Sequence, residues 1–133
     1  MVLEVKNWTV SDYNYSERQV VKNVSFYVKE GEIIGFFGLQ GAGRTKLGMS
    51  LFGKSFGTEF SGEMYIDGKL CDPQNVRGAL RDGIAYVTED RKEFGLFLKH
   101  SIAQNTTVAK LDKVSVHGMV EKNKEKIVTR DYM

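Results

Sequence analysis

The sequence predicts an α/β fold, and three stretches carry that prediction. An apolar run at residues 32–37 is typical of a short buried strand and leads directly into a glycine-rich loop at 38–45. Apolar residues then recur at helical spacing over 45–52. Residues 20–29 alternate between apolar and polar side chains, which is typical of a half-buried strand. At 133 residues the chain is one domain or part of one, and we expect a mixed sheet to hold the glycine-rich loop.

The elements around these stretches follow from turn residues and apolar spacing. A polar, aromatic loop at 12–18 separates two short N-terminal strands from the strand at 20–29. An Asp67-Gly68 turn ends a later strand and favours a hairpin, so an antiparallel β-subdomain is expected beside the mixed sheet. The other predicted elements are strands at 2–5 and 8–10, a loop at 57–62, a strand at 63–69, a short helix at 76–82 and a buried strand at 84–87.

The remainder of the chain is predicted to be mainly helical. Charged residues indicate a loop at 88–95, and a helix is predicted at 101–110. Residues 116–128 carry apolar side chains at near-helical spacing, which predicts one further helix, although Asn123 and Lys124 interrupt its apolar stripe.

Composition excludes several classes of protein. Nineteen basic and seventeen acidic side chains leave a net charge of +2, which is too balanced for a nucleic-acid surface. The lone cysteine, Cys71, excludes an internal disulfide, and we expect an unreactive thiol there. No apolar run approaches the ~20 residues of a membrane span, and the first residues lack the apolar core of a signal peptide. The chain is therefore expected to be soluble and cytoplasmic, without a transmembrane segment of its own.

Residues 38–45 match the phosphate-binding pattern G-x-x-x-x-G-K-[ST] at every fixed position except one, because Arg44 replaces the lysine. The glycines can adopt backbone angles that turn successive N–H groups toward an anion. The start of the following helix adds a partial positive charge of about half an elementary unit. Thr45 stands where a hydroxyl would hold Mg²⁺. The residues predicted to bind a nucleotide here are Gly38, Gly41, Ala42, Gly43, Arg44, Thr45 and Lys46.

Arg44 changes the chemistry of this loop without changing its charge. Arginine is a planar fork of N–H donors, whereas lysine is a compact point charge on a flexible stem. We therefore expect affinity for a nucleoside triphosphate to be retained and its hydrolysis to be impaired. A glycine-rich turn without a ligand remains the alternative. A dinucleotide fingerprint G-x-G-x-x-G fits worse, because it would need a glycine at Gln40 or at Lys46.

Several motifs in their order along the chain resemble the nucleotide-binding domain of ABC transporters. The finer similarity is to the second of two ATPase halves in bacterial importers of monosaccharides such as ribose, galactose or xylose, and it extends from residue 2 to about residue 108. In that half an arginine in the phosphate loop is usual, as is the Glu-Asp-Arg-Lys run. The residues that carry the resemblance are Val20-Val21-Lys22-Asn23-Val24-Ser25-Phe26, Gly31-Glu32-Ile33, Gly38 to Thr45, Leu51-Phe52-Gly53, Gly83 to Lys92 and Gly95-Leu96.

The resemblance implies roles for residues outside the loop. Tyr15 matches the aromatic residue that stacks on adenine, with Tyr13 as its rival. Glu89 falls where most ABC domains have a glutamine that contacts Mg²⁺ and the attacking water, so Thr45 and Glu89 are the implied metal ligands of bound Mg²⁺-ATP. A solvated loop acid beside Arg91 and Lys92 is the alternative for Glu89. No residue of this chain is assigned a catalytic role.

The resemblance also implies the organisation of a longer protein. Residues 1–133 correspond to a partial nucleotide-binding domain, with the β-subdomain and P-loop core at 1–95 and the beginning of a helical subdomain at 96–133. The family's Leu-Ser-Gly-Gly signature, its Asp-Glu strand and its switch histidine are absent from this sequence. We therefore expect a fragment that hydrolyses ATP negligibly by itself, cut from an active parent ATPase.

The implied partners are membrane permease subunits, the other ATPase half and, indirectly, a sugar-binding protein outside the membrane. The implied location is the inner face of the cell membrane, where the protein would couple ATP binding and hydrolysis to sugar uptake. A degenerate, non-catalytic module that regulates the partner half is the alternative. An unrelated P-loop kinase or GTPase is a third hypothesis, and the Asn-Lys-x-Asp motif of GTPases is absent.

Overall fold

The computed structural model describes residues 2–132, and helices and strands both contribute to it. This mixed content agrees with the predicted α/β class. Contacts divide the described chain into two compact units, residues 2–86 and 87–132. The predicted subdomain boundary after residue 95 lies later in the chain and stays a prediction.

The first unit is built on an antiparallel sheet of four described strands, β1 Leu3–Ser11, β2 Gln19–Val28, β3 Thr58–Ile66 and β4 Lys69–Leu70. They lie in the order β2-β1-β3-β4. Strand β1 is central, since Leu3 pairs with Val28 of β2 on one side and with Ile66 of β3 on the other. Asp67 and Gly68 form the predicted turn, with φ values of 48° and 74°.

Strand β1 joins the two short strands predicted at 2–5 and 8–10 into one irregular strand. Val5 and Trp8 are both buried although they are three positions apart, which a regular strand with a period of two would not allow. Asn7 has a φ of 51°, and the pairing register shifts between Val5 and Trp8. The irregularity therefore turns Trp8 into the core, where Val5, Val10, Val21, Leu47 and Met64 are also buried.

Two predicted strands are absent, and with them the mixed sheet expected around the phosphate loop. Residues 32–37 and 84–87 form no strand, and within residues 2–132 no other segment pairs with them. Ile33 and Phe37 are each 96% exposed. The described ring contact of this segment joins Phe36 to Phe26, with ring centroids 5.0 Å apart. Apolar composition favours an extended chain, but a strand exists only when a neighbour supplies ladder hydrogen bonds.

The predicted loop at 57–62 is also corrected. Strand β3 begins at Thr58, because Thr58 pairs with Ser11 and Ser61 pairs with Thr9 of the central strand. Gly57 lies so close to β1 that a Cβ atom there would clash with Val10 Cγ1. The composition of residues 57–62 is typical of a loop, but their pairing with the long central strand makes most of them part of β3.

Two helices complete the first unit, and both agree with the sequence prediction. Helix α1, Arg44–Leu51, follows the glycine-rich loop and buries Leu47 and Ser50. Helix α2, Val76–Arg81, begins at Asn75, whose side-chain oxygen accepts a hydrogen bond of 2.8 Å from the N–H of Gly78.

The second unit contains short elements, and two predictions for it are corrected. Residues 91–95, predicted as loop, form a single wide helical turn capped by Asp90. The predicted helix at 101–110 is helix α3, Ile102–Thr107, which is followed by 3₁₀ turns over Val108–Lys113 that are divided by a kink at Lys110. The helix predicted over 116–128 instead begins as a hairpin of β5, Ser115–Val116, and β6, Met119–Val120, before helix α4, Lys122–Asp131.

The cause of the hairpin is the dipeptide His117-Gly118. Its φ values are 49° and 81°, so both residues lie in the left-handed region that a helix does not contain. Two central turn residues with positive φ are typical of a tight hairpin. Val116 and Met119 therefore face each other across a turn, and their near-helical spacing in the sequence is coincidental.

Candidate phosphate-binding site

The glycine-rich loop ends at Gly43, which is the N-cap of helix α1. Gly43 has φ 89° and ψ 10°, a left-handed conformation in which glycine meets little strain. A Cβ atom at this position would lie 2.8 Å from the backbone oxygen of Val20 on strand β2. Glycine is therefore required twice here, for its backbone angle and for its close approach to the sheet.

The start of helix α1 fits an anionic ligand. Gly43, the N-cap residue, has no side chain that could accept a hydrogen bond from the first turn, and no acidic side chain lies in that turn. The N-terminal N–H groups of a helix and its dipole favour a negative charge at such a position. Gly41, with φ 84°, and the hydrogen bond of 3.0 Å from Ala42 N to Leu39 O shape the preceding turn. The Ala42 N–H is therefore used within the turn, and it is the start of helix α1 that suits a phosphate group.

Arg44 is the first residue of α1 and its side chain is exposed. Within residues 2–132 no ion pair holds its guanidinium group. Arg44 and Gly43 line one side of a cavity of about 460 Å³, whose other walls include Val24 of β2 and Phe36. A cation at the open start of a helix, with no described carboxylate paired to it, adds to the attraction for an anion.

Lys46 makes different contacts from those of Arg44. Its Nζ atom lies 3.8 Å from Oδ2 of Asp12 and 5.2 Å from the centre of the Phe56 ring. The ammonium group therefore contacts the residue that begins the aromatic loop at 12–18. The phosphate contact assigned to Lys46 from the sequence stays a prediction.

The aromatic loop at 12–18 is held closed by its own backbone. Asp12 N donates to Arg18 O at 2.9 Å, and Arg18 N donates to Tyr15 O at 2.8 Å. Tyr13 is 60% exposed and its ring meets that of Phe56 edge to face, with centroids 5.9 Å apart. Tyr15 is 67% exposed, and no ring contact is described for it. Both rings could accept a flat partner, so the adenine contact of Tyr15 stays a prediction.

Glu89 belongs to the second unit, where it is exposed and precedes Asp90. Oδ1 of Asp90 accepts the N–H groups of Lys92 and Glu93, each at 3.0 Å, and so starts the helical turn that follows. Among residues 2–132 no group of three or more His, Cys, Asp or Glu side chains is arranged to hold a metal ion. The contacts of Thr45 and Glu89 with Mg²⁺ therefore stay predictions.

Sequence reasoning missed two residues at this site, Asp12 and Phe56. Neither belongs to a phosphate-loop pattern. Asp12 follows the last residue of β1 and Phe56 lies just before β3, where Ser11 pairs with Thr58, and both contact Lys46 of helix α1. The signal that pointed to the loop at 12–18 as a ligand surface was the family resemblance, through Tyr15 and its rival Tyr13.

No described helix combines the length and apolar character that crossing a membrane would require.

Comparisons with known proteins agree on one family. The profile of the ABC transporter family matches residues 21–132. The chain is 48% identical over 125 residues to the L-arabinose transport ATP-binding protein AraG of Geobacillus stearothermophilus. The aligned region covers 94% of this chain and 24% of that protein. It is 40% identical over 123 residues to the xylose import ATP-binding protein XylG of Thermoanaerobacter pseudethanolicus, with 92% and 24% covered.

A third relative is the ribose import ATP-binding protein RbsA of Geobacillus kaustophilus, 38% identical over 118 residues, with 89% of this chain and 24% of that protein covered. The chain therefore spans about a quarter of the length of the curated relatives it matches.

Proposed function

The chain belongs to the ABC transporter family, and on that premise we propose that residues 38–45 bind the phosphates of ATP in the ATP-binding part of a sugar importer, with Lys46 next to them in the nucleotide site. The observation that carries the proposal is the conformation of Gly43. It caps helix α1 at φ 89°, against the backbone of Val20, and leaves the first turn without a side-chain cap. A triphosphate would supply negatively charged acceptors to the N–H groups at the start of this helix.

Arg44 sets the chemistry of the proposed site. Its guanidinium group would bind phosphate oxygens through paired N–H donors. Its planar head is larger than an ammonium group, which is why we propose retained binding and impaired hydrolysis. Thr45 would hold Mg²⁺ through its hydroxyl, Tyr15 would stack on adenine, and Glu89 would contribute a carboxylate toward the metal. Bound Mg²⁺ would neutralise charge on the phosphates.

The relatives support the wider setting of the proposal. They are named as ATP-binding proteins of arabinose transport and of xylose and ribose import. We propose that the protein containing this sequence works at the inner face of the cell membrane. There it would couple ATP binding and hydrolysis to sugar uptake through permease subunits, together with a second ATPase half and a sugar-binding protein. Residues 1–95 would form its β-subdomain and P-loop core, and residues 96–133 the start of its helical subdomain.

Equilibrium binding of ATP with Mg²⁺ to the 133-residue chain tests the proposal. Arg44→Ala should weaken binding by about tenfold or more, because a charged donor to phosphate is lost. Lys69→Ala is the matched control, since it removes one positive charge from an exposed position on β4. Arg44→Lys should retain binding. A wild-type chain that binds neither ATP nor inorganic tripolyphosphate, or an Arg44→Ala chain that binds ATP as well as Lys69→Ala does, would refute the assignment.

Turnover is a separate measurement. The 133-residue chain should hydrolyse ATP negligibly. Phosphoryl transfer needs a group that positions the attacking water and positive charges that stabilise the transition state, and residues 38–46 do not supply the first of these. In the full-length protein that contains this sequence, Thr45→Ala should reduce transport if the site is catalytic. Unchanged transport would instead favour a non-catalytic site that regulates the partner half.

A further inference from the structure

Asp12 organises the beginning of the aromatic loop through three of its atoms. Its N–H closes the loop onto Arg18 O, and its Oδ1 accepts the N–H of Asn14 at 3.0 Å. Its backbone oxygen accepts the hydroxyl of Thr58 on strand β3 at 3.3 Å. The loop that carries Tyr15 is therefore anchored at Asp12, and the second carboxylate oxygen remains to make one further contact.

That contact is Lys46, two residues beyond the first residue of helix α1. Its Nζ lies 3.8 Å from Oδ2 of Asp12, and the side chains are 37% and 15% exposed, so the pair is partly shielded from solvent. The same ammonium lies 5.2 Å from the centre of the Phe56 ring, within the range of a cation–π interaction. Phe56 in turn meets Tyr13 edge to face. A continuous series of contacts therefore runs from the start of α1 to the aromatic loop.

We infer that Lys46 is a positioning residue, which holds the aromatic loop at a fixed distance from the phosphate loop and so favours a nucleotide over a bare triphosphate. This inference rests on the proposed binding of ATP. Its ligand specificity follows from the proposed adenine contact of Tyr15. The loop at 12–18 would then contact the base of a nucleotide, whereas the phosphate loop at 38–45 would bind any polyphosphate. Lys46 affects the affinity for ATP through Asp12. Because the loop at 12–18 is already ordered before ATP binds, less conformational entropy is lost on binding.

The decisive variant is Asp12→Asn, because it separates this role from a direct phosphate contact. Asparagine keeps an oxygen that can accept the N–H of Asn14, but it removes the charge that holds Lys46. Affinity for ATP should fall by about threefold to tenfold, the scale of a partly exposed ion pair with its ordered loop. Affinity for tripolyphosphate should stay the same or increase, since the freed ammonium then lies near the phosphate loop.

A matched control is present in the same unit. Lys54 pairs with Asp72 at 2.8 Å and lies 5.4 Å from the centre of the Phe60 ring, so it repeats the combination of ion pair and ring. Asp72→Asn should leave both affinities unchanged. The double variant Asp12→Asn with Lys46→Met should bind ATP no more weakly than the weaker single variant, because both changes break one contact.

Each outcome decides the inference. The inference is supported if Asp12→Asn weakens the affinity for ATP and leaves the affinity for tripolyphosphate unchanged or raises it. The effects of the two single variants on ATP affinity must also be non-additive in the double variant; additive effects contradict the inference. If Asp12→Asn tightens both ligands equally, Lys46 is a direct phosphate ligand and the inference is wrong. If Asp12→Asn has no effect on ATP while the wild-type chain binds it, the inference also fails, but the proposed function stands. If the wild-type chain has no affinity for either ligand, both the inference and the proposed function are wrong.

Discussion

The indole Nε1–H of Trp8 donates a hydrogen bond of 3.0 Å to Oγ of Ser50, and both side chains are buried. Ser50 donates its own hydroxyl proton to Leu47 O at 2.8 Å. Trp8 lies on the central strand and Ser50 lies in helix α1. This pair therefore fastens the helix that follows the phosphate loop to the sheet beneath it.

Ser50→Ala should destabilise the chain by ~1–3 kcal/mol, because it leaves the buried indole N–H of Trp8 without its acceptor. Denaturant unfolding followed by Trp8 fluorescence measures the change. Ser61→Ala is the matched control, since Ser61 is exposed on β3 and should change stability by less than ~0.5 kcal/mol. Equal stabilities for the two variants would show that the Trp8–Ser50 bond contributes nothing.

Gly43→Ala should abolish ATP binding and lower stability by ~1–3 kcal/mol, since alanine is strained at φ 89° and its Cβ would press on Val20 O. Gly35→Ala makes the same chemical change at a position without positive φ and with no atom within 4 Å of the added Cβ. It should leave ATP affinity and stability close to wild type. Calorimetric titration and thermal unfolding of both variants check this, and intact ATP binding by Gly43→Ala would contradict the account of the loop.

Cys71 should react slowly with iodoacetamide at neutral pH. Partial burial and the hydrogen bond from its Sγ to Oδ2 of Asp82, 3.2 Å long, raise the pKa of the thiol from 9.0 to about 11. The reaction rate should therefore rise with a midpoint near the raised pKa, and Asp82→Asn should move that midpoint down. A wild-type midpoint near 9 would contradict the environment described here.

The same raised pKa predicts how stability depends on pH. The folded state keeps the Cys71 proton to a higher pH than the unfolded chain does, so the contribution of the thiol is complete below pH 9.0 and is lost as pH rises toward about 11. Denaturant unfolding over that window should show falling stability in the wild-type chain. Cys71→Ala should show a smaller fall over the same pH range.

The hairpin turn at His117-Gly118 gives a prediction for the second unit. His117→Asn should maintain or raise thermal stability, because asparagine tolerates the φ of 49° that this position requires. His117→Val should lower stability by ~1–2 kcal/mol, since a β-branched side chain clashes in the left-handed region. Valine favours extended backbone, so a more stable valine variant would mean that the turn is not formed as described.

Local patterns in the sequence predict much of the first unit. The glycine spacing at 38–45 located the loop and the start of α1, and the Asp67-Gly68 turn located the β3–β4 hairpin. These features depend on residues close together in the sequence, where backbone preference decides the outcome.

The errors share a different cause. Residues 32–37 have the composition of a strand, yet no described segment lies beside them to form a ladder. At 116–119 the apolar spacing suggested a helix, and a pair of residues with positive φ overrode it. The contact of Lys46 with Asp12 joins residues from separate elements, so no local pattern could indicate it.

The proposed function and the role inferred for Lys46 both depend on the binding of the phosphates of ATP by residues 38–45. The most direct measurement is an NMR titration of the 133-residue chain with ATP and Mg²⁺, following each backbone amide. The account predicts saturable shifts concentrated at residues 38–46, with a second set at residues 12–18, and unchanged signals around Lys54 and Asp72. Shifts that avoid residues 38–46, or no saturable shift at any ATP concentration, would contradict it.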